Sequence, residues 1–106
     1  MSDILVLVET EGTSISSTSG ELIAAARKLA APLGNKVCAI VTDDVKESSF
    51  TDLIHLGADI VYVISHPELS KGNIDAFVSF LEQICIKKNP NIILTSKSKL
   101  IILLFL

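Results

Sequence analysis

Cysteine and glycine are both scarce in this 106-residue chain, and their scarcity excludes two kinds of architecture. The 2 cysteines are too few for a disulfide framework. Cys38 and Cys85 each lie within an apolar run, so we expect buried free thiols, which suit a reducing compartment. The 5 glycines form neither a G-x-G-x-x-G nor a Walker A run, so the sequence carries no glycine-rich phosphate loop.

Basic residues are not in excess, and no apolar run is long. Lys and Arg number 9 against 12 Asp and Glu, for a net charge of -3, which argues against nucleic acid or an anionic membrane as partner. A membrane-spanning helix needs about 20 apolar residues, and neither 4–8 nor 100–106 approaches that length. We expect no membrane insertion, no signal peptide and a cytoplasmic location, or the mitochondrial matrix in a eukaryote.

Apolar runs alternate with amphipathic segments along the chain. The runs typical of buried strands are Ile4–Val8, Val37–Val41, Ile60–Ile64 and one that begins with Ile92-Ile93-Leu94. Segments with helical spacing follow the first three runs, and the third helix is predicted from Asn73 to Lys88. The sequence therefore predicts an α/β fold with three layers, in which four parallel strands alternate with three helices in a Rossmann-like, incomplete domain.

The first predicted helix has recognisable ends. Thr18 followed by Glu21 matches a capping box, and Pro32 with Gly34 predicts where the helix stops. The positions that recur at helical spacing, and that we expect to face the core, are Leu22, Ala25, Ala26, Leu29 and Leu33. The polar stretch 9–17 before this helix is predicted to be a loop.

The second predicted helix is short. Ser48 or Ser49 is expected to cap its beginning, and Gly57 is placed to close its end. Its apolar residues are Phe50, Leu53, Ile54 and Leu56.

Polar residues follow each predicted strand, where ligands bind in parallel α/β sheets. These residues are Glu9-Thr10-Glu11-Gly12, Thr42-Asp43-Asp44, Ser65-His66 and Thr95-Ser96. The first loop contains one glycine and two glutamates, and its fixed negative charge opposes phosphate binding. A dinucleotide site in this segment is therefore not expected.

Several of these residues are of types found in metal, phosphoryl-acceptor or ligand-binding sites, and each also has a purely structural explanation. Asp43-Asp44 is compatible with a divalent cation or a phosphoryl acceptor, but the pair follows the second strand, so solvated loop carboxylates are favoured. Neither His55 nor His66 has a cysteine or second histidine at metal-ligand spacing, so we predict surface or partly buried rings. Thr95-Ser96 either donates hydrogen bonds to a ligand or caps the next element. We predict no catalytic, cofactor-binding or metal-binding residue, and hence no enzyme.

A set of short stretches, taken in order over Ile4 to Ser96, resembles one family. The stretches are Ile4 to Glu9, Leu22 to Leu29 with its A-A-R-K-L sequence, Leu56-Gly57-Ala58-Asp59 before Val61-Tyr62-Val63, His66 to Leu69, and Asn89 to Leu94. They are similar to the N-terminal domain of electron transfer flavoprotein alpha subunits.

This resemblance implies an electron carrier. The family forms alpha–beta heterodimers with one FAD, which passes electrons from dehydrogenases to a membrane or other acceptor. The flavin is held mainly by the second domain of the alpha subunit, downstream of the segment that matches here. The resemblance therefore carries over no ligand residue, and we expect no tight FAD binding and no electron transfer by this segment alone.

The end of the sequence departs from the family. After the T-S pair the family has a glycine, an arginine and then a helix, whereas this chain continues as Lys97-Ser98-Lys99 and an apolar run, 100–106. We therefore expect residues 1–96 to form a partial N-terminal α/β domain, 97–106 to be an aberrant apolar tail, and the flavin-binding second domain to be absent.

Two other functions stay open at this stage. One is a small nucleotide-binding module of the universal-stress type, which would need a glycine-rich phosphate loop late in the chain. The other is an interaction protein that docks on a partner such as the beta subunit.

Overall fold

The computed structural model describes residues 3–43, 45–65 and 74–96. In chain order its elements are β1 (Ile4–Leu7), β2 (Thr10–Glu11), β3 (Ser14–Ile15), α1 (Ser17–Ala30), β4 (Val37–Thr42), α2 (Ser48–Leu56), β5 (Ile60–Ile64), α3 (Ile74–Lys88) and β6 (Ile92–Leu94). Asp44, His66 and the predicted tail 97–106 lie outside the described residues, as does the predicted start of α3 at Asn73.

The main sheet is parallel and has the strand order β5-β4-β1-β6. Helices α1 and α2 contribute Ile23, Ala26 and Leu53 to the apolar cluster on one face. Helix α3 contributes Val78 and Leu81 to the cluster on the other face. The predicted α/β fold of three layers, with four parallel strands and three helices, is confirmed.

The two central strands are the most deeply buried part of the molecule. All of β1 and residues 37–40 of β4 are 0% exposed. Both strands are covered by helices on both faces, which is why their sequences are unbroken apolar runs. The edge strands β5 and β6 are mostly half-buried, and Val63 in β5 is 43% exposed.

The predicted loop 9–17 contains structure that the sequence did not reveal. Strands β2 and β3 pair antiparallel in a small hairpin, with Gly12 at its turn at a φ of 65°. The helix that follows starts at Ser17, because the Ser16 side chain accepts a hydrogen bond from the Ser19 backbone N–H. The capping box predicted from Thr18 and Glu21 is therefore wrong.

The face of α1 that packs on the sheet agrees with the predicted one at Ala26, which is buried, and at Leu22, which packs half-buried against the core, but differs elsewhere. Leu29 and Leu33 are 46% and 58% exposed. The buried residues of α1 are Ser19, Ile23, Ala26 and Ala30. Because alanines occupy several faces of this helix, apolar spacing alone did not determine which face packs on the sheet. The buried residues are mostly small, so the helix lies close to the sheet. The predicted stop is confirmed, since a 3-10 turn over Ala31–Leu33 is closed by Gly34 at a φ of 69°.

Helix α2 is closed as predicted but begins differently. Gly57 ends it with a φ of 127°. Glu47 occupies the N-cap position, so neither Ser48 nor Ser49 caps the helix. Ser49 lies inside the helix, where its hydroxyl donates to the Thr13 carbonyl oxygen at 3.5 Å and helps to hold the hairpin.

Candidate functional site

The strand order creates one position where a ligand site is expected. The chain leaves β1 towards β4 on one side, and β6 lies on the other side of β1. Crossovers run in opposite directions from such a pair, so a crevice forms beyond the carboxyl ends of β1 and β6. Glu9 lies beyond the end of β1, and Thr95 and Ser96 follow β6.

Glu9 and Ser96 are joined across this crevice. The Ser96 hydroxyl donates to Glu9 Oε2 at 2.6 Å, and Ser96 is only 7% exposed. The Ser96 hydroxyl thus binds a carboxylate of the same chain, a structural contact that differs from both predicted roles of Thr95-Ser96, which were donation to a ligand and capping of the next element. The Thr95 hydroxyl donates to the Ser96 carbonyl oxygen at 3.2 Å.

A second set of hydroxyls ties the end of β1 to the start of α1. Ser19 Oγ accepts from the Glu9 backbone N–H at 2.7 Å and donates to the Glu9 carbonyl oxygen at 3.2 Å. It also accepts from the Ser16 hydroxyl at 3.1 Å. The Ser19 hydroxyl thus uses its one hydrogen and both lone pairs within the protein.

The polar groups of the crevice are the Glu9 carboxylate and hydroxyl groups that already form hydrogen bonds within the chain. This chemistry suits hydroxyl or ammonium groups, whereas a phosphate would meet the negative charge of Glu9. Neither nearby glycine forms a phosphate cradle. Gly12 sits in the hairpin turn, and Gly20 lies inside α1, where an added Cβ would stand 3.6 Å from Leu56 Cδ1.

The second predicted acidic position lies one strand further along the sheet edge. Asp43 follows β4, and its carboxylate Oδ2 accepts from the Ser65 hydroxyl at 2.6 Å. Both residues are exposed, in agreement with the solvated carboxylate favoured by the sequence. His55 is exposed on α2, as predicted for a surface ring, whereas Asp44 and His66 lie outside the described residues.

The two thiols differ in burial. Cys38 is 0% exposed, and its Sγ lies 3.5 Å from Asp3 Oδ2, to which the thiol donates. Burial, together with the charge of Asp3, raises the pKa of Cys38 to about 11, so the thiol stays protonated and unreactive at neutral pH. Cys85 is free and half-buried, and burial raises its pKa as well. The prediction of a buried free thiol is confirmed for Cys38 and holds only partly for Cys85.

A charged contact that the sequence did not reveal lies near the start of β1, away from the crevice. Lys88 Nζ lies 3.9 Å from Asp3 Oδ2 and 5.4 Å from the centre of the Tyr62 ring. The contact joins the end of α3 to Asp3, which directly precedes β1, and to Tyr62 on β5.

An open groove runs between β3, α1 and α2, with a volume of about 590 Å³. Its apolar lining includes Ile15, Ala24 and Leu56, and Glu21, Lys46 and Asp52 supply charge around it. The sequence did not predict this groove because one of its walls is the hairpin.

Two other kinds of site, a metal centre and a membrane-spanning helix, are absent from the part of the chain that the structure describes. Within 3–43, 45–65 and 74–96, no three His, Cys, Asp or Glu side chains come together as a set of metal ligands. No helix in the same ranges has both the length and the apolar character required to cross a bilayer.

Comparison with known proteins identifies the family. Residues 4–101 match the electron transfer flavoprotein domain. The chain belongs to the electron transfer flavoprotein domain family. The resemblance noted from the short stretches over Ile4 to Ser96 is thereby confirmed. Electron transfer flavoproteins are electron carriers, and not enzymes in the ordinary sense.

Three relatives show how much of a longer protein the match covers. The electron transfer flavoprotein subunit alpha of Thermoanaerobacterium thermosaccharolyticum is 32% identical over 92 residues, which are 87% of this chain and 28% of that protein. The acryloyl-CoA reductase electron transfer subunit beta of Anaerotignum propionicum is 35% identical over 92 residues, with shares of 87% and 25%. Protein FixB of Azorhizobium caulinodans is 29% identical over 100 residues, with shares of 92% and 27%. The chain spans about a quarter of the length of these curated relatives.

Proposed function

We propose that this chain forms the N-terminal α/β domain of an electron transfer flavoprotein alpha subunit. The observation that carries the proposal is the family match over residues 4–101, which includes every described strand and helix. In this role the parent protein carries electrons from dehydrogenases through one FAD to an acceptor, in the cytoplasm or in the mitochondrial matrix.

The FAD of the parent protein is bound outside the described residues. Support comes from the crevice beyond β1 and β6, where Glu9 and Ser96 bond each other at 2.6 Å and Glu9 supplies negative charge. A flavin dinucleotide carries a pyrophosphate, which needs backbone N–H groups or cations rather than a carboxylate. The segment alone therefore neither binds FAD tightly nor transfers electrons.

The contribution of this domain is to hold a companion subunit. Apolar residues on the outer side of α2 support a docking role, because Ile54 and Leu56 are 46% and 43% exposed. Leu56 also lines the groove between β3, α1 and α2, so apolar surface continues from the helix into the groove. The same surface supports the alternative of a small interaction module that docks on a partner without any link to flavin.

Co-expression of the chain with a beta-type subunit tests the docking role. We expect the two chains to elute together in size-exclusion chromatography. Ile54→Asp should weaken the complex at least tenfold, because a carboxylate would be desolvated where an apolar side chain is buried, an effect of about 1.4 kcal/mol or more.

Ile86→Asp on α3 is the matched control. Ile86 is 75% exposed on the opposite face of the sheet, so its replacement should leave the complex unchanged. Separate elution of the two unmodified chains would contradict the docking role. An equal effect of both substitutions would exclude the α2 surface as the contact.

A further inference from the structure

Two sequence stretches that carry the family resemblance meet in space. Arg27 belongs to the A-A-R-K-L stretch of α1, and Gly57 and Asp59 belong to the L-G-A-D run between α2 and β5. Arg27 Nη1 donates to Asp59 Oδ2 at 2.7 Å. The two stretches lie 32 positions apart in the chain, so this contact is a product of the fold.

Asp59 also connects the edge strand to the central strand β4. Its Oδ2 accepts from the Val37 backbone N–H at 2.8 Å, and its own N–H donates to the Val37 carbonyl oxygen at 2.8 Å. Val37 is 0% exposed, whereas the Asp59 side chain is 38% exposed, so the carboxylate is the group that covers this N–H on the solvent side. One carboxylate thus serves both the guanidinium of α1 and the first residue of β4.

Gly57 provides the space that Arg27 occupies. A Cβ at residue 57 would lie 3.2–3.4 Å from Cβ, Cγ and Cδ of Arg27, which is tighter than ordinary packing. The φ of 127° at Gly57 also disfavours any other residue there. Arg27 adds two longer contacts, to the carbonyl oxygens of Gly57 and Asn35, both at 3.4 Å.

The unit that these contacts hold is weakly buried. Strand β5 pairs only with β4 in the described sheet, and four of its five residues are half-buried or exposed. In α2, Ser49 and Leu53 are buried, while Ile54 and Leu56 are more than 40% exposed. Elements with little buried surface open first under native conditions.

We propose that Arg27, Gly57 and Asp59 form a latch that fastens the α2–β5 unit, residues 48–64, to α1 and β4. Release of the latch opens this unit while β1, β4 and β6 stay folded. The latch depends on neither flavin nor a companion subunit, so its test is independent of the test of the proposed function.

Hydrogen exchange of the whole chain tests the latch. Asp59→Ala removes the acceptor of both Arg27 and Val37, and we expect the amides of α2 and β5 to exchange about 5- to 30-fold faster. The amides of β1, which pairs with β4 and β6, should keep their protection. Asp52→Ala, which removes an exposed carboxylate from α2 itself, is the matched control and should leave the pattern unchanged.

A second pair of variants keeps the test decisive if Asp59→Ala does not fold. Arg27→Met keeps an unbranched stem beside Gly57 and removes only the guanidinium, and Lys28→Met on the neighbouring exposed position is its control. Arg27→Met should accelerate exchange in α2 and β5 selectively, and Lys28→Met should not. Equal acceleration in β1 and β5 would show general destabilisation and overturn the latch, as would no acceleration in either variant.

Acid should release the same latch. Hydrogen bonding from Val37 and the charge of Arg27 hold the pKa of Asp59 below its usual range, and Lys36 contributes in the same direction. A lowered pKa means that the contribution is present above the ordinary pKa of about 4 and is lost as pH falls through the lowered value.

The tyrosine on β5 reports this opening. The chain has 1 tyrosine and no tryptophan, so tyrosine emission reports Tyr62 alone. Emission should change below about pH 4 together with the part of the helical circular dichroism that α2 contributes, before the signal of α1 and α3 is lost. This early step should be missing in Asp59→Asn, which cannot titrate. An early step of the same size in Asp59→Asn would overturn the assignment of the acid response to this latch.

Discussion

Replacing Ile40 with alanine should lower the free energy of unfolding by about 2–5 kcal/mol, the range for large-to-small substitutions in a core. Ile40 is 0% exposed in β4 and belongs to the apolar cluster beneath α3. It is paired with Leu7 of β1 and Tyr62 of β5, so the cavity would lie between these two side chains, on the face of the sheet that α3 covers. Urea denaturation followed by circular dichroism measures the effect.

The size of this loss has a structural consequence. Domains of this length have a total stability of about 5–15 kcal/mol, so the variant would lose a large part of it. Ile86→Ala is the matched control, because Ile86 is 75% exposed on α3. That substitution should change the free energy of unfolding by less than about 0.5 kcal/mol. Similar losses for the two isoleucines would mean that α3 does not cover the sheet as described.

Replacing Ser19 with alanine should cost about 1–3 kcal/mol, the penalty for leaving a buried polar group without its partner. Ser19 is 0% exposed, and its hydroxyl serves both the N–H and the carbonyl oxygen of Glu9. Its loss would also remove the acceptor of the Ser16 hydroxyl. The groups left without a partner lie at Glu9, in the segment that leads from β1 into the crevice.

Ser17→Ala serves as the control for the same helix end. Ser17 is exposed at the first position of α1, and alanine is a good helix former, so little change is expected. Thermal unfolding of the two variants beside the parent chain measures the difference. An equally small effect at Ser19 would show that the hydroxyl network is replaced by water and does not fix the start of α1.

The parts of the fold that follow from local sequence were predictable. The buried strands are unbroken apolar runs, and Gly34 and Gly57 stop their elements because they adopt positive φ angles that other residues disfavour. The start of α1 was not predictable in the same way. Several adjacent Ser and Thr residues can each cap a helix, and the choice of Ser16 depends on Ser19 reaching Glu9 across the end of β1.

The candidate site was likewise only partly predictable from the sequence. The sequence predicts polar groups beyond each strand, since parallel strands end at one edge. It does not predict that Glu9 meets Ser96, because that pairing requires β6 to lie beside β1 rather than beside β5. Similarly, the A-A-R-K-L and L-G-A-D stretches suggested the family, but the sequence did not predict that Arg27 and Asp59 form an ion pair. That contact depends on the packing of α1 against the α2–β5 unit.

We propose that this segment is the flavin-free N-terminal domain of an electron-transfer subunit. Native mass spectrometry of the chain purified after growth with ample flavin, and again after addition of FAD, tests it most directly. We expect a species near 11.4 kDa, free or bound to a companion subunit, with no mass added by FAD. A stable one-to-one adduct of the chain with FAD would contradict it and would place a flavin site within these residues.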